Sequence, residues 1–368
     1  MKIVQLLPEL NEGGVEVETI ELNRELVYLG HESIVISNGG KVAKQIGKDG
    51  GQHITFDVAS KNIFTLFWRV YRLRKLLKAL KPDIIHARSR VPAWLSFLAN
   101  QTLHIPFVTT VHGFNSVSPY SRIMTAGDEV ICVSSAIKEY IRKHYQTVEE
   151  KITVIPGGID LMKFDPDNID RQFMETFKKH YELENQFVIS VVGRITQLKD
   201  IETFIHAVAL VKENRPDIKA LIVGGVHKDK ENYFESLKKV VKELGVENEV
   251  VFTGSQSNVA EIYALSSVVV SASKKPESFG RSVAEAIAMN TPVVATNHGG
   301  VKDIIIEGEN GFFAEIGDAN SLAEKIVKAK DLTFDGNGYI KKNFSLPKIV
   351  AKTLEVYEKA IEKNKIKV

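Results

Sequence analysis

Short apolar runs alternate with amphipathic segments along the whole 368-residue chain, and this alternation restricts the fold more than any other feature. Ile3–Leu7, Glu32–Ser37, Asp83–His86, Phe107–Val111 and Glu129–Val133 read as strands buried on both faces. Between them Glu16–Leu29, Asn62–Leu80, Pro92–Thr102 and Ser135–His144 repeat their apolar residues at helical spacing. Strand–helix alternation of this kind predicts an α/β fold with a doubly wound parallel sheet.

The pattern halts between Val154 and Asp170, where Pro156, Gly157, Gly158, Pro166 and several aspartates gather. This stretch reads as a linker between domains. The alternation then restarts. Phe187–Gly193, Lys219–Val223, Val250–Thr253, Val268–Ser271 and Pro292–Ala295 are predicted strands. Asp200–Asn214, Asn232–Leu244, Val259–Leu265, Ser282–Met289 and Ser321–Lys330 are predicted helices. The length suits two domains better than one. The last amphipathic stretch, Pro347–Glu362, either ends the second domain or returns to the first.

Charge is nearly balanced, with 48 Lys and Arg against 46 Asp and Glu, which argues against a nucleic-acid partner. The single cysteine, Cys132, rules out a disulfide framework or a cysteine metal site within one chain. It points to a reducing, cytoplasmic compartment. Ile3–Leu7 is too short before Pro8 to read as a signal peptide. No apolar run approaches the roughly 20 residues of a membrane span.

Gly13 and Gly14, between the first strand and the first helix, would let backbone amides approach an anion; the alternative is a simple tight turn. The spacing does not fit the dinucleotide fingerprint, which disfavours a nicotinamide dehydrogenase. Pro276-Glu277-Ser278-Phe279-Gly280 leads into a helix carrying Glu285. The amides at Gly280 and its neighbours would be free at the helix start, where the dipole also favours an anion. Glu285 lies on the order of 8 Å further along the axis. That offset places a carboxylate at the ribose of a nucleotide whose diphosphate sits on the helix tip. Taken alone, Glu285 reads first as one of many surface helix glutamates. Arg194 and Lys199 follow the first strand of the second domain and could neutralise a diphosphate. His86 and His112 each follow a first-domain strand, where a histidine faces a cleft or serves packing. Asp165-Pro166-Asp167 looks like a metal motif only as text; it falls in the linker, so no metal is expected.

Taken in order, these residues resemble the retaining glycosyltransferases of the GT-B class, family 4. The resemblance runs from Gly13 to about Gly311. It includes Gly13-Gly14-Val-Glu16, His86-Ala-Arg88, His112-Gly113, Val133-Ser134 and Pro156-Gly-Gly158-Ile-Asp160. It continues through Gly193-Arg194, Lys199, Gly224-Gly225, Gly254, Glu277-Ser-Phe-Gly280, Glu285-Ala286 and Gly299-Gly300.

The resemblance implies two Rossmann-like domains facing a central cleft. The first would be residues 1–163, with the C-terminal helix, about 347–368, crossing back onto it. The second, residues 164–346, would bind the nucleotide sugar. Arg194 and Lys199 would then hold the donor diphosphate, with Gly13 and Gly14 adding backbone contacts. Glu285 would bind the ribose. Glu277 and the Phe279 and Gly280 amides would touch the donor sugar and phosphate, and His112 would line the sugar site. Catalysis would fall to Glu277, His112, Arg194 and Lys199, with no cofactor beyond the donor substrate, a UDP-sugar. One departure is Asp200, where the family usually has Gly; a carboxylate there is unfavourable unless it points away from the diphosphate. Another is Asn297-His298, ahead of Gly299-Gly300.

The segment His86–Trp94 resembles members of lipopolysaccharide and surface-glycan assembly. The expected acceptor is accordingly lipid-linked or part of a surface glycan. The helix predicted over residues 62–80 carries Arg69, Arg72, Arg74, Lys75 and Lys78 with Phe64, Phe67, Trp68 and Tyr71. Such a helix suits an anionic membrane surface on the inner leaflet, or it packs its apolar face on the sheet. Two other functions fit the same motifs: a sugar-nucleotide epimerase of the same fold, and a non-catalytic nucleotide-sugar-binding protein.

Overall fold

The computed structural model describes residues 1–11 and 13–367. The chain divides into two compact units, one of Met1–Gly158 with Leu346–Val368 and one of Ile159–Ser345. Val368, the last residue of the expected returning helix, lies outside the described residues.

The first unit runs β1 (Lys2–Leu6), α1 (Gly14–Tyr28), β2 (Glu32–Ser37), α2 (Ala43–Lys48), β3 (Gln52–Thr55), α3 (Leu66–Leu80), β4 (Ile84–Ala87), α4 (Arg90–Asn100), β5 (Phe107–Val111), β6 (Glu129–Cys132), α5 (Ser135–Tyr145) and β7 (Ile152–Val154). Its seven strands pair in the order β3-β2-β1-β4-β5-β6-β7, every pairing parallel. The central strands β4, β5 and β6 are buried along their whole length, as a sheet covered on both faces requires.

The second unit runs α6 (Arg171–His180), β8 (Phe187–Val192), α7 (Ile201–Lys212), β9 (Ile218–Val223), α8 (Glu231–Glu243), β10 (Val250–Gly254), α9 (Val259–Leu265), β11 (Val268–Ser271), α10 (Arg281–Ala288), β12 (Val293–Thr296), β13 (Gly311–Ala314), α11 (Ala319–Ala329) and α12 (Gly336–Asn343). Its six strands pair in parallel, in the order β10-β9-β8-β11-β12-β13. Each unit is therefore a doubly wound, Rossmann-like sheet.

The last helix, α13 (Leu346–Lys367), belongs to the first unit. Its Leu346, Ile349, Val350, Val356, Tyr357 and Ala360 pack with Ile3, Leu22, Ile84, Val108 and Ile131.

Three sequence expectations need correction. The helix predicted from Asn62 begins at Leu66, because Ser60 and Asn62 accept hydrogen bonds from the backbone of Asn62 and Phe64 and fold 60–65 into turns. Arg69 is not a surface cation: it is buried, donating to Ser60 O, Asn62 O and Thr65 Oγ1. The stretch read as the linker contains the boundary between the units, but it opens on the last residue of β7, and its Ile159 and Phe164 are in the core of the second unit.

Candidate functional site

In the second unit the chemistry gathers where β8 and β11 end. The loop after β11 carries Ser273 and Glu277, and the loop after β8 carries Arg194 and Lys199. Glu277 Oε1 accepts hydrogen bonds from Lys199 Nζ and Ser273 Oγ, each at 2.6 Å. The Ser273 carbonyl accepts from Thr296 Oγ1 at 2.9 Å and His298 Nε2 at 2.8 Å. A carbonyl cannot donate, so His298 carries its proton on Nε2. Burial pushes the Glu277 carboxyl up, but Lys199, Ser273 and His298 outweigh it and hold the group below the usual glutamate value. Glu277 is thus a fixed, ionised carboxylate, with its ammonium partner folded back over Gly193.

Backbone packing holds this loop. Glu277 forms a parallel bridge with Gly299, and Gly300 N donates to Glu277 O at 2.7 Å. A Cβ on Gly299 would stand 2.3 Å from Glu277 O, and one on Gly300 would stand 2.4 Å from Ser278 O. The two glycines let the loops lie main chain to main chain.

The loop ends in α10, whose N-cap is Gly280 at φ 105° with no side-chain cap. The helix's first hydrogen bonds come from Val283 and Ala284 to Gly280 O, so the preceding amides have no partner within the helix. Phe279 is buried in the core beneath. Glu285 is no free surface glutamate: Oε1 accepts from Arg281 Nε at 2.8 Å and Oε2 from Tyr263 Oη at 3.0 Å. Tyr263 is completely buried; burial first, and Glu285 second, push its hydroxyl well above the ordinary value. It remains a donor. Sequence reasoning missed Tyr263, because its contact with Glu285 spans 22 residues and two helices.

Arg194 is exposed and makes no ion pair among the described residues. Asp200 makes its contacts with groups other than Lys199 and Glu277. It is fully buried at φ 48°, caps α7 by accepting from Thr203, and pairs with Lys274 Nζ at 2.9 Å. Asp165 Oδ1 accepts from Asp167 N, a local turn.

The first unit places a second cluster at the carboxyl ends of β4 and β5. Arg88 donates to Glu18 Oε1, and to Gln5 Oε1 at 3.2 Å. His112 Nδ1 lies 3.5 Å from Glu18 Oε2, while its buried Nε2 has no hydrogen-bond partner among the described residues. Burial, then the Arg88 charge, holds His112 well below its ordinary value, so the ring is neutral near pH 7 and the contact is not an ion pair. Glu18, also missed, sits one position before Thr19 in the buried stripe of α1. His86 faces no open site: it is buried between Tyr357 Oη at 2.7 Å and Thr110 Oγ1 at 2.6 Å. Gly13 is the extended N-cap of α1, and the Glu16 carboxylate folds back over it.

Residues 12–163 match the family model described as Glycosyltransferase Family 4, and 172–342 match Glycosyl transferases group 1. The crystal structure of a glycosyltransferase from Rickettsia africae is 32% identical, covers 98% of each chain and superposes with a TM-score of 0.90. This chain is a family 4 glycosyltransferase of the GT-B fold. The transferase is also 27% identical, over 86% of its length and 84% of the relative's, to the N-acetyl-alpha-D-glucosaminyl L-malate synthase of Bacillus anthracis. Anabaena HepE, solved in complex with UDP and glucose, shares the fold at 22% identity and a TM-score of 0.83, covering 98% of this chain and 100% of its own. The first matched segment of the transferase lies in the first unit except for residues 159–163, and the second lies within the second unit. Lys199, Arg194, Glu277, Phe279, Gly280 and Glu285 sit in the second; Gly13, Gly14 and His112 sit in the first. Among the described residues of the transferase, no helix is long and apolar enough to cross a membrane.

Proposed function

We propose that this transferase moves a sugar from a UDP-sugar to a lipid-linked or surface-glycan acceptor, keeps the anomeric configuration and needs no metal. The observation that carries the reading is the Lys199–Glu277 pair beside the uncapped start of α10, with Glu285 fixed one turn beyond. The diphosphate would lie on the α10 amides, where the helix dipole favours negative charge. Glu285, oriented by Tyr263 and Arg281, would accept from the two ribose hydroxyls. Arg194 and Lys199 would take up the charge that grows as the sugar–phosphate bond breaks, which is the role a metal would otherwise fill. Glu277 would accept from the sugar's hydroxyls, and His112 would offer a sugar hydroxyl its Nε2, which has no partner among the described residues. The departing phosphate oxygen would take the acceptor's proton on the face that it leaves. UDP in the related HepE structure supports the choice of nucleotide.

The reading includes work on the cytoplasmic face of an anionic membrane. Phe64, Phe67, Trp68 and Tyr71 are 60–94% exposed along α3 and the turn before it, with Arg72, Lys75 and Lys78 also in water. An aromatic and basic surface of this kind suits the headgroup region.

The test is product analysis with UDP-sugars, with and without a glycolipid acceptor, in the presence of EDTA. Transfer with retained configuration is expected. Epimerised nucleotide sugar without acceptor, an inverted product, or activity that only magnesium or manganese restores would each overturn the corresponding part.

A further inference from the structure

A groove of about 650 Å³ lies in the first unit between α3, the turn before it and α4. Ile63, Leu66, Val91, Trp94, Leu95 and Leu98 give it apolar walls. Such a volume is within the range of sites that take small organic ligands. Its rim is cationic, with Lys61 and Arg90 both lining it. Arg90 donates to Ser121 Oγ at 3.2 Å and Ser116 Oγ at 3.5 Å, and stands 5.6 Å from the Tyr120 ring centroid. All these partners are neutral. Among the described residues no carboxylate pairs with Arg90 or Lys61, so their charge is uncancelled. Trp94 is fixed in the wall by its Nε1 donating to Tyr120 O at 2.9 Å.

An apolar trough with a fixed positive rim complements a molecule that has a hydrocarbon chain and an anionic end. The groove is also continuous with the exposed aromatic surface, since Ile63 lines it and is itself 66% exposed beside Phe64. A chain entering from a membrane under that surface would stay covered by apolar side chains throughout.

We propose that the groove holds the hydrocarbon chain of a phosphate-bearing membrane lipid, drawn partly from the bilayer, with its phosphate against Arg90 and Lys61. The inference rests on the membrane-facing reading above and supplies what that reading lacks, a seat for one lipid molecule.

The test uses the full chain with Trp68→Phe, which leaves Trp94 as the one remaining tryptophan of two. The probe is an alkyl phosphate brominated near its chain end, kept below its micelle concentration. Saturable quenching of Trp94 is expected. Affinity should rise with chain length, by up to about fourfold per methylene, the equivalent of full burial of each. Arg90→Gln should weaken binding about tenfold, and Leu98→Phe, which fills the groove, should abolish it with the circular dichroism unchanged. A neutral alkyl alcohol of equal length should bind more weakly. Quenching that is absent, unsaturable or untouched by both variants would overturn the proposal. So would competition by inorganic phosphate with no dependence on chain length. A dimer in sedimentation that Leu98→Phe dissociates would make the groove an interface between copies and would equally overturn it. UDP binding by calorimetry reports on the transferase reading separately, since neither variant lies in the second unit.

Discussion

The Lys274 ammonium stands 2.9 Å from the Asp200 carboxylate, and the residue next to Asp200, Lys199, stands 2.6 Å from Glu277. Lys274 N also donates to Leu198 O at 2.9 Å. The loops after β8 and β11 are thus cross-linked by two ion pairs of opposite sense and a main-chain bond. Asp200 performs two tasks. It adopts the left-handed backbone, and it caps α7.

Asp200→Ala should therefore lower stability by about 1–2 kcal/mol, through loss of the cap and a left-handed alanine. Asp200→Gly keeps the backbone freedom and should cost only a few tenths of a kcal/mol for the cap. Urea unfolding midpoints separate the two. Both variants lose the carboxylate, so if glycine were as damaging as alanine, the left-handed backbone at this position would cost alanine nothing.

Arg194 and Lys199 test leaving-group stabilisation. By analogy with losing one oxyanion donor, Arg194→Ala should lower kcat roughly 10²- to 10³-fold. Lys199→Ala should do the same, with a double mutant less than additive. Arg194→Lys should recover only part, since an ammonium lacks the bidentate fork. Steady-state kinetics at saturating acceptor would show unchanged kcat and raised KM if the cations bind only the ground state.

Tyr263→Phe removes one hydrogen bond to Glu285 without touching the nucleotide. It should weaken UDP binding by about 0.5–1.5 kcal/mol, against about 1–3 kcal/mol for Glu285→Ala. Calorimetry on both variants, with the double mutant matching Glu285→Ala, would support a positioning role. Equal affinity for Glu285→Ala and wild type would remove Glu285 from the site.

Replacing Arg72, Lys75 and Lys78 with glutamate should reduce binding to anionic liposomes, each cation near such a surface contributing about 1 kcal/mol. Arg69 is left out because its guanidinium already holds the turns before α3. Transfer to an acceptor lacking its lipid should persist. A wild type that ignores anionic liposomes would end the membrane reading.

His86 and His112 give the fold an acid sensitivity. Burial, followed by the Arg88 charge, lowers both below the ordinary value of 6.5. Below that pH the unfolded chain takes protons that the folded chain refuses, so stability falls as pH falls, by up to about 1.4 kcal/mol per unit per histidine. Thermal midpoints should drop between about pH 6.5 and 5, with a shallower slope in His112→Gln.

The sheet-forming runs and α10, which carries Glu285, were legible because their periodicity is strong and local. β3, β7 and β13 were not: each is a short edge strand, and QHIT, ITV and GFFA carry little pattern. α12 contains Gly336 and Gly338 and owes its helix to the Asp335 cap and to Asn337 bonding Ala288 O and Phe164 O. α6 was hidden behind an aspartate-rich stretch that reads as linker. Tyr263 and Glu18 could not be read because their partners are distant in the chain. Conversely, Asp200 looked like a liability in the sequence and is a cap in the structure.

The first unit's core includes Leu346, Ile349 and Tyr357, which follow the entire second unit in the chain. On the ribosome, the strands that they cover emerge first and must wait. At ~5–20 residues per second, the intervening unit takes roughly 10–40 s to synthesise. Throughout that interval Ile3, Ile84, Val108 and Ile131 lack part of their cover. Translation halted just before Leu346 would therefore yield a chain whose second unit is whole and whose first unit, though fully translated up to Gly158, is exposed to chaperones and proteases.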